Sequence, residues 1–95
     1  MITSKQRAKL RGMANDIDTL FQVGKSGVTP EVIQSTAEAL QKRELIKLRV
    51  LENSLLSARE AAVALSEATG ADVVQVIGSR FVLYKPNPKE PVIQL

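Results

Sequence analysis

Leu20-Phe21-Gln22-Val23-Gly24-Lys25-Ser26-Gly27-Val28-Thr29-Pro30-Glu31 sets a strand, a turn and a helix start in immediate succession. Leu20 to Val23 is a short apolar run, of strand rather than helix length. Gly24 and Gly27 bracket a turn, because glycine enters backbone conformations that side chains disfavour. Thr29 offers its hydroxyl to the free N–H groups of a helix beginning at Pro30, where the missing proline N–H is no loss. Glu31 places negative charge at the positive helix end, and Val28 is set to staple onto Ile33. The helix runs through Ile33, Ala37 and Leu40 to about Lys42. A strand that feeds a helix through so short a turn begins an α/β unit.

The alternation continues outward in both directions. Upstream, Ser4 is placed to cap a helix reaching about Ala14, with Leu10, Met13 and Ile17 on its inner side. Downstream, Leu45 to Leu51 alternates as a strand, with Ile46, Leu48 and Val50 on one face and Lys47 and Arg49 on the other. Ser57 and Glu60 form a capping box for a third helix, whose inner face is Ala58, Ala61, Ala62 and Leu65 and whose stop is Gly70. Val73 to Ile77 and Arg80 to Lys85 are strands joined by Gly78-Ser79, and a leading glycine suits a type II′ turn. The prolines of the tail, 86–95, keep it out of a central strand. The order α-β-α-β-α-β-β predicts a compact α/β fold on a four-stranded mixed sheet, with residues 1–95 forming a single domain.

Composition narrows the chemistry. A chain of 95 residues has room for one modest core and no deep cavity, so its function is expected on the surface. Cys and His are both absent, which removes disulfides, thiolate metal sites and the commonest general base. No cofactor, metal or enzymatic activity is expected. No apolar run has the length of a membrane span or signal peptide, and a soluble, cytoplasmic monomer is the expected state. The net charge of +3 is unevenly placed. Residues 1–25 hold five bases (Lys5, Arg7, Lys9, Arg11, Lys25) against two acids, whereas the remainder holds eight of each. Such asymmetry favours a polyanionic partner. With one Tyr, two Phe and no Trp, nucleic-acid contact would rest on charge and shape rather than on aromatic stacking.

Three groups of residues are candidates for that contact. At about 100° per residue, Lys5 and Lys9 lie on one flank of the first helix and Arg7 and Arg11 on the other, with Ala8 and Gly12 between them. The two edges could straddle a phosphate ridge, and a plain solvated helix fits the same pattern. Gly24, Lys25, Ser26 and Gly27 form a loop able to present N–H groups, a cation and a hydroxyl to phosphate, or simply a tight turn. Lys47, Arg49 and Arg80 come from two strands and are candidates to share a sheet face, where plain solvation is the alternative. A nucleotide-hydrolase loop is incomplete, because Thr19 occupies the position where its first glycine belongs. Asp16 and Asp18 read as a solvated turn, and Glu31, Glu38, Glu44, Glu52, Glu60 and Glu67 as solvated faces or caps. Phe21 and Phe81 read as core, and Tyr84 as half-buried packing.

The pieces Val23-Gly24-Lys25-Ser26-Gly27-Val28-Thr29, Arg43-Glu44-Leu45-Ile46-Lys47, Glu67-Ala68-Thr69-Gly70, and Gly78 with Phe81-Val82-Leu83-Tyr84 resemble, in order and spacing, the bacterial YhbY-type members of the CRM (chloroplast RNA splicing and ribosome maturation) family. The likeness runs from Leu10-Arg11-Gly12 through the last strand. It implies a fold similar to the C-terminal domain of a bacterial translation initiation factor. It also implies binding to structured RNA, with large-subunit rRNA in precursor ribosomal particles as the expected partner and ribosomal proteins as further contacts. The family's G-x-x-G loop falls on Gly24 and Gly27, and Ser26 stands where many relatives carry glycine. The rival expectation is a protein–protein adaptor on assembly particles, whose complexes would survive ribonuclease.

Overall fold

In the computed structural model, which describes residues 2–89 and 91–93, seven elements alternate in the expected order. They are α1 (Ser4–Ala14), β1 (Thr19–Val23), α2 (Pro30–Arg43), β2 (Leu45–Val50), α3 (Ala58–Thr69), β3 (Asp72–Ile77) and β4 (Arg80–Tyr84). The strands form one mixed sheet in the order β1-β2-β4-β3. β1 and β2 are parallel, joined through α2, while β4 runs antiparallel to both β2 and β3.

Strand alternation divides the core in two. Ile46, Leu48, Val50, Phe81 and Leu83 face α2 and α3, where they meet Leu40, Ala61, Ala62 and Leu65. Leu45, Val82 and Tyr84 face the other way, onto Leu10 and Ala14 of α1. Ala58, Ala61, Ala62 and Leu65 of α3 are buried in this core, on the inner face expected of them. α1 therefore covers one face of the sheet and α2 with α3 the other. Phe21 and Phe81 join the core as expected, and Tyr84 is more deeply buried than a half-exposed packing residue.

Most of the helix and turn signals hold. Thr29 accepts from the Val32 N–H at 3.3 Å and Pro30 follows it, while Ser57 and Glu60 close a reciprocal box at 3.1 and 3.0 Å. Bonds from the Ser57 N–H and hydroxyl lower the Glu60 carboxyl from its usual range, against a smaller effect of burial. Gly70 ends α3 at φ +79°, and Gly78 opens the β3–β4 turn at φ +58°.

Two expectations are corrected. Thr3, not Ser4, caps α1. The residue three beyond Thr3 is Gln6, whose side-chain oxygen accepts from the Thr3 N–H at 2.9 Å while its own N–H donates back at 3.1 Å. Three beyond Ser4 stands Arg7, which has no acceptor to close a box. The second correction is Glu44, which is a cap, one of the two roles expected of it, but not a solvated acid. It is fully buried at 0% exposure and ends α2 at φ +64°, ψ −43°, where glycine would be usual. Its carboxylate accepts the backbone N–H groups of Asn87, Val92 and Ile93, and its carbonyl accepts that of Lys85 at 2.9 Å. The proline-rich tail is thereby fastened to the end of α2.

Candidate nucleic-acid interface

Because β1 and β2 are parallel, their C-terminal ends bring the Gly24–Gly27 turn beside the loop that follows Val50. The Leu51 N–H donates to the Val23 carbonyl at 3.0 Å, and the Val50 N–H donates to the Ser79 carbonyl at 2.7 Å. One end of the sheet thus gathers the glycine turn, the 51–57 loop and the Gly78-Ser79 hairpin.

The two glycines of the turn do different things. The Gly27 N–H donates to the Gly24 carbonyl at 3.0 Å, so it is spent inside the turn and not offered outward. Lys25 and Ser26 form the exposed tip. Gly27 is buried at φ +72° and packs on Leu56, a conformation that favours glycine. Gly24 has no such demand, since a Cβ built there would meet only Leu51 Cδ1, at 3.9 Å. The expectation that both glycines are needed for backbone shape therefore holds for Gly27 alone.

Register decides the rest of the surface. Gln22 pairs with Arg49, Arg49 with Arg80, and Arg80 with Ile77, making one row across all four strands. The row lies on the α1 side of the sheet, two residues along from Lys47 and Val82, and outside the group that α1 buries. Arg80 is exposed, while Lys47 and Arg49 are half-buried. Among the described residues none of these three cations is ion-paired. They form a fixed positive strip leading to the end that carries Lys25.

The cations of α1 are divided by this geometry. Ala14 and Asn15 border Lys47 and Arg80, so the flank with Arg7 and Arg11 turns toward the strip. Met13 and Ile17 border Lys42, Arg43 and Ile93 instead, and Lys5 and Lys9 belong to that flank. The two basic edges thus border different parts of the sheet and tail, with exposed Ala8 and Gly12 between them. Arg7 also differs from Arg11, because its Nε is enclosed without a hydrogen-bond partner whereas Arg11 is exposed. Among the described residues no three His, Cys, Asp or Glu side chains come together to hold a metal ion, and no helix is long and apolar enough to cross a membrane.

Residues 2–85 match the CRS1 / YhbY (CRM) domain family. The chain belongs to that family. The CRM match spans every helix and strand and stops where the tail begins. Over its whole length the chain is 42% identical to the Bacillus subtilis protein named Probable RNA-binding protein YqeI, of which 99% is covered. It is 33% identical over 94 residues to a Haemophilus influenzae protein named RNA-binding protein, across 99% of this chain and 94% of that one. The solution structure of a Staphylococcus aureus protein, 43% identical, superposes with a TM-score of 0.83 and covers 100% of this chain and 99% of its own.

The unequal glycines of this CRM domain give a direct test by urea unfolding. Gly24→Ala is expected to leave stability unchanged or raise it slightly, by up to about 0.5 kcal/mol, through a less flexible unfolded chain. Gly27→Ala must hold a side chain at φ +72° and is expected to lose about 1 to 2 kcal/mol. Equal losses in the two variants would contradict the division of roles.

Proposed function

We propose that this CRM domain binds structured RNA, and that its partner is large-subunit rRNA in precursor ribosomal particles, whose assembly it assists. The observation that carries the reading is the strip Lys47, Arg49 and Arg80, left without acidic partners among the described residues and continuous with the sheet end that displays Lys25 and Ser26. Cations left unpaired on a rigid sheet suit a phosphate backbone, whose neutralisation releases condensed counterions. The relatives' names as RNA-binding proteins support the same reading.

The mechanism is passive. Lys25 and the Ser26 hydroxyl contact phosphate at the turn, and Gly24 lets the backbone approach closely because no Cβ stands there. Arg11 widens the footprint from α1, while Lys5 and Lys9 contribute only at longer range. Tyr84 is buried and offers no ring to stack on a base. Recognition rests on the shape and phosphate spacing of an A-form helix, whose deep major groove hides its base edges.

Crosslinking of the protein to RNA in cells, followed by sequencing of the attached fragments, tests the reading. Reads concentrated in one region of large-subunit rRNA and enriched in precursor particles are the expected result. Efficient recovery of the protein with no attached RNA, in complexes that survive ribonuclease, would overturn it in favour of a protein–protein adaptor.

A further inference from the structure

Between the end of α1 and the open half of the sheet lies a hollow of about 190 Å³, lined by Ala14, Asn15, Lys47, Gln75, Ile77, Arg80 and Val82. Pockets for drug-sized ligands hold roughly 300–1,000 Å³, so this one suits a single ring system. Its composition is specific. Ala14, Val82 and Ile77 form an apolar floor and wall, and Ile77 stays 61% exposed although it is a large aliphatic side chain on a strand. Asn15 and Gln75 bring two side-chain amides that are bonded to nothing else among the described residues. Each amide presents a donor and an acceptor side by side, the pattern that complements the edge of a nucleobase. Arg80 adds a planar guanidinium able to lie against a ring, and Lys47 adds charge for the attached phosphate.

We propose that this hollow receives one unpaired base, bulged out of the bound RNA, while the adjoining strip of cations holds the flanking phosphates. The inference rests on the RNA-binding reading above and adds to it a site for a base. It also accounts for the scarcity of aromatic residues. An aliphatic wall and a guanidinium plane take the place of a ring, and the two amides supply the polar edge.

Fluorescence polarisation with two labelled RNA stems tests the inference. The stems are identical except that one carries a single bulged adenosine. The wild-type chain is expected to bind the bulged stem about tenfold more tightly, the scale of one base stacked and hydrogen-bonded. Gln75→Ala combined with Ile77→Ala is expected to abolish that preference while affinity for the paired stem stays within about twofold. Asn15→Ala, at an exposed position after α1, serves as an independent variant and is expected to reduce the preference. Equal wild-type affinity for both stems would overturn the base site and leave RNA binding standing. A double variant that weakens both stems alike would also overturn it, by making the hollow a part of the backbone contact. Failure of the wild type to bind either stem would overturn the RNA reading itself, and the base site with it.

Discussion

Glu44→Ala is expected to lower the unfolding free energy by about 3 kcal/mol, among the largest losses available from one side chain on this fold. The carboxylate accepts three backbone N–H groups, from Asn87 at 2.5 Å, Ile93 at 2.6 Å and Val92 at 2.7 Å. Such short, charge-assisted bonds are about twice as strong as neutral ones. The residue also sits at φ +64°, ψ −43°, a region that costs a side chain roughly 1 to 3 kcal/mol. Glutamate tolerates that cost because the carboxylate fixes the tail. Alanine would keep the strain and lose the bonds. Glu44→Gly would lose the bonds but relieve the strain, so it is expected to be about 1 kcal/mol less damaging than Glu44→Ala. Urea unfolding of both variants measures this. A loss below about 1 kcal/mol in each would mean that the tail bonds contribute little.

The same group makes stability depend on pH. Burial raises the Glu44 pKa, but the N–H donors of Asn87, Ile93 and Val92 more than offset it, and the net direction is downward from the ordinary value of 4.5. A carboxyl depressed in the folded state contributes stability that is complete above its unfolded pKa and is lost as pH falls through the folded one. The stability gap between wild type and Glu44→Gln is therefore expected to be constant at neutral pH and to shrink progressively below 4.5. A gap that persists unchanged into strong acid would show that the carboxylate charge plays no part.

What was legible in the sequence follows the range of the interactions. Thr29 with Pro30, Ser57 with Glu60, and the glycines at 70 and 78 act within about one turn of chain, so their neighbours reveal them. The Thr3 cap lies within the same reach, since Gln6 three residues on supplies the acceptor that Arg7 denies to Ser4. Glu44 could not be read this way. Its donors lie beyond three further strands and a helix, and a helix ending at a non-glycine residue of positive φ carries no local mark. The candidate surface was half legible. Alternation put Lys47 and Arg49 on one face, but the pairing of Arg49 with Arg80 depends on a register set by distant strands. Irregularities between Thr19 and Phe21 and between Val73 and Gln75 shift the phase of both edge strands, which hid Gln22, Gln75 and Ile77 from a simple count.

Arg49→Gln with Arg80→Gln is expected to weaken binding to structured RNA about thirtyfold at physiological salt, the largest loss of affinity on this surface. The two residues are direct cross-strand partners, and like charges so placed oppose folding by roughly 0.2 to 1 kcal/mol. The same double substitution is therefore expected to leave the free protein as stable as before or slightly more so. Affinity and stability moving in opposite directions would mark a charge pair retained for a polyanion rather than for the fold. The slope of log K against log salt should fall by about 1.4 to 1.8, two phosphate contacts' worth, whereas Lys25→Ala should remove less than one. Titrations against an rRNA stem at several salt concentrations, beside urea unfolding of the same variants, measure both quantities. An unchanged slope would make the strip a solvated face. A slope that falls together with stability would make the arginines structural, and binding would then have to be sought at the glycine turn alone.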